Sequence, residues 1–287
     1  MDADGGEVGG WGCPASWRAT SWGAVDAGDG GGPCTVDRVP ASLLSAADFA
    51  DRYLGVRPVV VVFGAGWNAK ARALTTREAV LRDHGHRNVT LSDATTYSPS
   101  SRKVRVSVSE YVASFSAAGA ERRYLFGDHG RDEWANVFDV FQRPPYGPDA
   151  PGAAGSAAAV PHWAYSFGLG ERGSGVPFHV HGGGWSECLH GSKRWFLYED
   201  GVVPRFEAEM ATADWVAQVY PDLAPRPSKD TEEAKHLERM VAEAPDEVAG
   251  YRPLECTIVP GEALYFPPGW YHATLNTQEG AFISTFL

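Results

Sequence analysis

Hydrophobic and polar positions fall into two textures along this chain. Between residues 45 and 141, amphipathic runs alternate with short apolar ones. Residues 45–54 read as a short amphipathic helix closed by Gly55. Residues 57–63 are apolar, β-branched and bounded by proline and glycine, which predicts a buried strand. Thr75 or Thr76 caps a helix running to about Asp83. Strands follow at 88–92 and 124–127, and helices at 109–116 and 132–141. Residues 144–161 are low in complexity, with two clusters of Pro and Gly, and read as a long surface loop.

The second texture is shorter in period. Apolar runs at 165–169, 178–181, 185–189, 194–198, 255–259, 263–266, 271–275 and 282–286 are separated by turn signals. Eight such strands are the count of a double-sheet jelly roll or cupin barrel. One insertion, at about 204–250, interrupts them with helices at 211–220 and 231–244. The second of these is highly charged and is expected on the surface. Residues 1–37, rich in Gly, Asp, Trp and Ala, read as mostly unstructured.

Composition narrows the classes. With 33 Gly, 20 Pro and 10 Trp in 287 residues, the chain is neither a coiled coil, nor a helix bundle, nor wholly disordered. A net charge of −11 argues against binding nucleic acid by neutralising phosphates, and leaves a basic protein or peptide as a suitable partner. No apolar run is long enough for a membrane span. Met1 to Gly10 has neither the basic nor the apolar region of a signal peptide. Cys13, Cys34, Cys188 and Cys256 are too few for a disulfide scaffold. A Cys13–Cys34 bridge and free thiols are both open readings.

Nine histidines include two His-x-His pairs. His84-Gly85-His86 sits in a polar stretch and reads as a pair of exposed loop histidines. His179-Val180-His181 ends an apolar run. On a strand, residues i and i+2 share a face, so both imidazoles look into one space, as two metal ligands must. Downstream, His272 opens a strand after a rigid Pro267-Pro268-Gly269 loop. With Thr274 and Asn276 it gives that strand one polar face.

Three motifs carry a resemblance. They are Gly175-Val176-Pro177-Phe178-His179-Val180-His181, Gly191-Ser192-Lys193-Arg194-Trp195-Phe196-Leu197-Tyr198, and Pro260-Gly261-Glu262 through Phe266-Pro267-Pro268-Gly269-Trp270-Tyr271-His272. In order, spacing and identity they resemble the JmjC (jumonji C, cupin-like) domain. Upstream segments such as Arg57-Pro58-Val59-Val60 and Tyr124-Leu125-Phe126-Gly127-Asp128 resemble an animal member of that family that resides in the endoplasmic reticulum lumen.

The resemblance implies a mainly β fold with flanking helices (α+β), a double-stranded β-helix. It implies one domain over 38–287, with the barrel core at about 160–287. Active members of the family are Fe(II)- and 2-oxoglutarate-dependent oxygenases that hydroxylate or demethylate proteins. Their iron is held by His-x-Asp/Glu and a distant His. Carried over, His179 and His272 are metal ligands and Lys193 binds the far carboxylate of 2-oxoglutarate. Two positions depart from the pattern. His181 stands where active members have Asp or Glu, and Val176 stands where they have Thr or Ser. Three imidazoles still suit Fe(II) or Zn(II), and related cupin thiol dioxygenases use three-histidine iron.

Glu187 shares odd parity with His179, His181 and Lys193. If the strand resumes in register after Gly182–Gly184, Glu187 faces the same interior and either ligates the metal or neutralises Lys193. Trp185, Trp195 and Trp270 are expected to wall the site. Asn88-Val89-Thr90 is an N-glycosylation sequon that fits a secretory-pathway protein. Three readings follow: an Fe(II)/2-oxoglutarate-type oxygenase acting on a protein or peptide, a catalytically silent JmjC fold acting as a binding module, and a three-histidine metal enzyme independent of 2-oxoglutarate. Exposed tryptophans would suit a homodimer.

Overall fold

Short β-branched and aromatic runs broken by Gly and Pro do become strands. The computed structural model describes residues 9–12, 34–93, 102–115, 122–127, 130–148 and 163–286. Among the described residues there are twelve strands: β1 Asp37–Pro40, β2 Val59–Val62, β3 Asn88–Asp93, β4 Lys103–Ser107, β5 Arg123–Phe126, β6 Ala164–Gly170, β7 Gly184–Cys188, β8 Lys193–Tyr198, β9 Leu254–Ile258, β10 Glu262–Phe266, β11 Tyr271–Asn276 and β12 Gly280–Phe286. The helices are α1 Ala46–Arg52, α2 Ala69–Leu74, α3 Arg77–His84, α4 Val108–Ser114, α5 Ala135–Phe138, α6 Thr212–Gln218, α7 Glu232–Glu243 and α8 Pro245–Val248.

The strands form two sheets. The large one runs β1-β2-β10-β7-β12-β6-β5-β3-β4, and the small one β11-β8-β9. This is the jelly-roll or cupin architecture. The elements from the first half of the chain extend the large sheet at both ends. Local chemistry sets several helix starts: the side chains of Ser45, Thr76 and Ser107 each accept the N–H three residues on. Glu110 completes a capping box with Ser107.

The small sheet is buried on both faces. Lys193 and Trp195 of β8 point between the sheets, while Phe196 and Tyr198 point outward under α6. The Phe196 and Trp215 rings meet there at 5.3 Å. The insertion therefore covers the outer face of the small sheet, and α7 turns only Leu237 inward to a buried position.

Several expectations need correction. Residues 178–181 are not a strand: Pro177 before and Gly182–Gly184 after leave one isolated bridge, His179 to His272. The glycine-rich start is not wholly loose, because Trp11 is fully buried and its Nε1 donates to the Thr75 carbonyl at 2.9 Å. Residues 1–8 and 13–33 lie outside the described ones. Cys34 pairs with Cys256 rather than Cys13. The reason is that Thr35 runs beside β9, its N–H donating to the Glu255 carbonyl at 2.8 Å. Cys188 is a buried free thiol, and Cys13 lies outside the described residues. His84 is not an exposed loop residue. It ends α3, is buried, and its ring lies 4.5 Å from that of Trp134. Of the 144–161 loop, only 144–148 is described, and there Tyr146 is buried and donates to the Leu44 carbonyl. Among the described residues no tryptophan is exposed; Trp17 and Trp22 lie outside them. The unforeseen β4 alternates Lys103 and Arg105 with valines at the sheet edge, where charge blunts unwanted pairing.

Candidate metal centre

The site is built by two chain segments pinned to each other. His272 is the second residue of β11 on the small sheet. His179 lies in the connection before β7, and the two exchange backbone hydrogen bonds: His179 N–H to His272 C=O at 3.1 Å, and His272 N–H to His179 C=O at 2.9 Å. Gly175 permits this close approach, since a Cβ there would collide with the Thr274 carbonyl. A second tie runs from the Gly269 N–H to the His181 carbonyl at 3.2 Å. Gly269 has φ +79°, a left-handed conformation that suits glycine.

Three imidazoles converge. Ring centroids are 5.1 Å apart for His179–His181, 4.2 Å for His179–His272 and 4.8 Å for His181–His272. One ligand atom from each can be chosen with all of them within 4.8 Å of one another. Each Nδ1 faces a backbone carbonyl: Pro177 at 2.7 Å, Gly182 at 2.7 Å and Trp270 at 2.9 Å. A carbonyl only accepts, so each Nδ1 carries the proton and each Nε2 carries the lone pair. That tautomer is the one a metal-ligating histidine needs.

Electrostatics agree with the tautomers. Burial, and then the neighbouring imidazole of His181, pushes the His179 pKa down to about 4. Burial also lowers His181, and burial with His179 beside it lowers His272 well below the usual imidazole value. The three rings are therefore neutral at physiological pH, with no like-charge repulsion to disperse them. Trp195 stacks on His272 at 5.6 Å and 26°, and Phe266 lies 4.7 Å from it on another side. The donor set fits a divalent transition metal of the Fe(II) or Zn(II) kind.

Behind the histidines a cavity of about 20 Å³ runs between the sheets, lined by Tyr124, Val176, Lys193, Trp195, Thr274 and Phe282 among others. Lys193 is 2 % exposed, and its Nζ donates to the Tyr124 hydroxyl at 2.8 Å. Among the described residues no carboxylate pairs with it. Burial lowers its pKa to about 7. A buried cation without an anion suits a site for a carboxylate ligand.

The structure brings together His179, His181, His272 and Lys193, with Trp195 as a wall. It does not bring Glu187 there. Ser186 Oγ accepts from Ser284 Oγ of β12 on the cavity side, so the neighbouring Glu187 points to the opposite face of β7. Strand β7 begins only at Gly184, and the glycine turn shifts parity by one residue. Glu187 Oε2 instead accepts from Trp67 Nε1 at 2.7 Å and Asn68 Nδ2 at 2.9 Å. Burial, only partly offset by those bonds, raises its pKa to about 8. Trp185 faces that side too, with Phe49 at 5.4 Å and Tyr265 at 5.3 Å. Trp270 supplies the carbonyl that orients His272. Asn276 is buried beyond the cavity, and its Nδ2 donates to Ser174 Oγ at 3.0 Å. Tyr124 and Phe282 were not anticipated as lining residues. Thr274 was visible as part of the polar face of its strand.

Comparison with known proteins decides the family. The chain is 39% identical over 277 residues to human JmjC domain-containing protein 8, covering 94% of this chain and 89% of that protein. The chain belongs to the JmjC domain-containing protein 8 family. Rat JmjC domain-containing protein 8 is likewise 39% identical, over 88% of this chain and 82% of its own length. More distant similarity reaches other JmjC proteins. The bifunctional arginine demethylase and lysyl-hydroxylase psr-1 of Caenorhabditis elegans is 22% identical over 85% of this chain and 59% of its own length. No family model matches the chain. Among the described residues no helix is long and apolar enough to cross a membrane.

Proposed function

We propose that this JmjC domain-containing protein 8 family member is a metal-dependent oxygenase acting on a protein or peptide. In this reading His179, His181 and His272 hold Fe(II), and Lys193 holds a carboxylate of 2-oxoglutarate. The observation that carries it is the convergence of three imidazoles whose Nδ1 protons are all committed to backbone carbonyls. Bound together, Fe(II) and 2-oxoglutarate would supply O₂ activation for C–H hydroxylation. The chain's own part is to present neutral Nε2 ligands, to offer the Lys193 ammonium to an anion, and to keep bulk water out with Trp195 and Phe266. The arginine demethylase and lysyl-hydroxylase activities in the name of psr-1 support a protein substrate.

A second reading is a catalytically silent JmjC fold used as a binding module. The uncharged His181, the apolar Val176 and the small cavity favour it. Zn(II) is the alternative occupant of the same ligands. For location we propose the endoplasmic reticulum lumen. The Cys34–Cys256 disulfide supports an oxidising compartment, and the exposed Asn88 sequon is compatible with it.

The test is to load the purified protein with Fe(II) without oxygen, add 2-oxoglutarate and then admit O₂. A visible charge-transfer band followed by succinate is the expected result. Bound iron with neither signal would defeat the oxygenase reading.

A further inference from the structure

Phe282 lies in the one place a carboxylate would need. It sits on β12, and its ring points between the sheets into the cavity behind the histidines. The Lys193 Nζ is 2.9 Å from the ring centroid. The same ring stacks on Tyr124 at 5.5 Å and 20°, and Phe126 flanks it at 5.6 Å. Directly across the β12–β6 register stands Gly168, where a Cβ would collide with the ring. The absent side chain at Gly168 is thus what gives the ring its seat.

The consequence is spatial and electrostatic. The Lys193 ammonium faces an aromatic ring and a tyrosine hydroxyl and, among the described residues, no anion. A ring face attracts a cation through its quadrupole but leaves the net charge in place. The remaining cavity of about 20 Å³ has room for about one water. A five-carbon dicarboxylate does not fit beside the ring.

We infer that Phe282 is an internal plug over Lys193, competing with carboxylate ligands for the lysine, so that the anion site opens only when the ring leaves its seat on Gly168. This rests on the reading above that Lys193 is the anion-binding residue. Apparent affinity for an anion is then the intrinsic affinity reduced by the fraction of molecules with the ring out. The plug makes Phe282 a specificity-determining residue: water or a ligand no larger is admitted behind the metal with the ring in place, and a dicarboxylate is not.

The test is calorimetric titration of 2-oxoglutarate into the full chain loaded with Co(II) in place of Fe(II). Wild type is compared with Phe282→Ala, Phe282→Leu and each of these combined with Lys193→Met. The Co(II) absorption spectrum reports separately that the three-histidine centre is intact. Leu retains most of the apolar packing, which keeps the test available if the Ala variant does not fold. The expected result is at least about a tenfold gain in affinity for both single variants, abolished by Lys193→Met. Equal binding by wild type and variants, lost with Lys193→Met, would overturn the plug and leave the anion site standing. No binding by any variant, with Co(II) bound, would overturn the plug together with the 2-oxoglutarate reading and leave only the metal centre.

Discussion

His179 and His272 are held to each other by their own backbones, each donating its N–H to the other's carbonyl at 3.1 and 2.9 Å. This isolated bridge joins the connection before β7 to the start of β11. It sets the distance between two proposed ligands without help from any side chain. The imidazoles are then aimed by carbonyls of Pro177 and Trp270, each two residues before its histidine. The repeated i−2 contact gives both rings the same tautomer.

Removing either ring should therefore remove the metal without removing the bridge. His179→Ala and His272→Ala are expected to weaken Fe(II) or Zn(II) binding by more than about 100-fold, beyond the loss usual for an outer hydrogen-bond partner. His84→Ala should keep full metal content, and its cost should appear in stability alone, about 1–3 kcal/mol for losing buried contacts with Trp134. Metal analysis after dialysis against a weak chelator, with thermal unfolding beside it, separates the two. Retention of metal by His272→Ala would remove the proposed centre.

Lys193 gives a second expectation. Its folded pKa is lowered to about 7 by burial, from the ordinary lysine value of 10.5. Between those values the unfolded chain binds more protons, so stability should rise as pH rises through that window. Lys193→Met removes a buried charge at similar volume and should raise stability at pH 6 by about 1–3 kcal/mol. It should also flatten the rise between pH 7 and about 10. Chemical denaturation of both proteins at pH 6 and 9 measures this. An unchanged pH slope in the variant would mean that Lys193 is not the titrating group. The same substitution should abolish 2-oxoglutarate binding.

Much of this architecture was legible beforehand, and the illegible parts share a cause. Seven of the eight barrel runs form strands because their β-branched and aromatic residues lie between Gly and Pro turns. His179, His181, His272 and Lys193 came from local motifs and their order. What failed needed register or distant pairing. The parity of Glu187 was lost across three glycines, because a turn can absorb one residue and reverse every side chain after it. Cys34 and Cys256 are 222 residues apart in sequence, and only the run of Thr35 along β9 shows why they meet. Phe282 reads as an ordinary core residue until β8 and β12 are facing. His84 has the sequence context of a loop, yet the last turn of α3 packs it on Trp134.

Glu187 should be a titrating clamp on the far face of the large sheet. Burial raises its pKa from 4.5 to about 8, so the folded chain holds a proton that the unfolded chain releases across that range. Its contribution is full below about pH 4.5 and is lost as pH rises towards 8, on the order of 5 kcal/mol in total. Glu187→Gln keeps an acceptor for Trp67 and Asn68 and carries no proton to lose. The variant should therefore show a flatter stability profile between pH 5 and 8, read by denaturant midpoints. It should bind 2-oxoglutarate as wild type does, since Glu187 does not face Lys193.

The Cys34–Cys256 bridge closes most of the chain into one loop and fixes the segment before β1 against β9. Its stabilisation comes largely from restricting the unfolded chain, and a long loop puts it at about 2–5 kcal/mol. Cys256→Ser, or reduction of wild type, should lower the unfolding midpoint by that amount. Metal content should survive, because no histidine ligand depends on the bridge. Trp195 offers an internal check. It pairs with Cys256 across β8 and β9 and stacks on His272. If breaking the bridge loosens β9, Trp195 fluorescence should change before metal is lost as denaturant is added. Simultaneous loss of both signals at an unchanged midpoint would show that the bridge contributes nothing to this wall of the site.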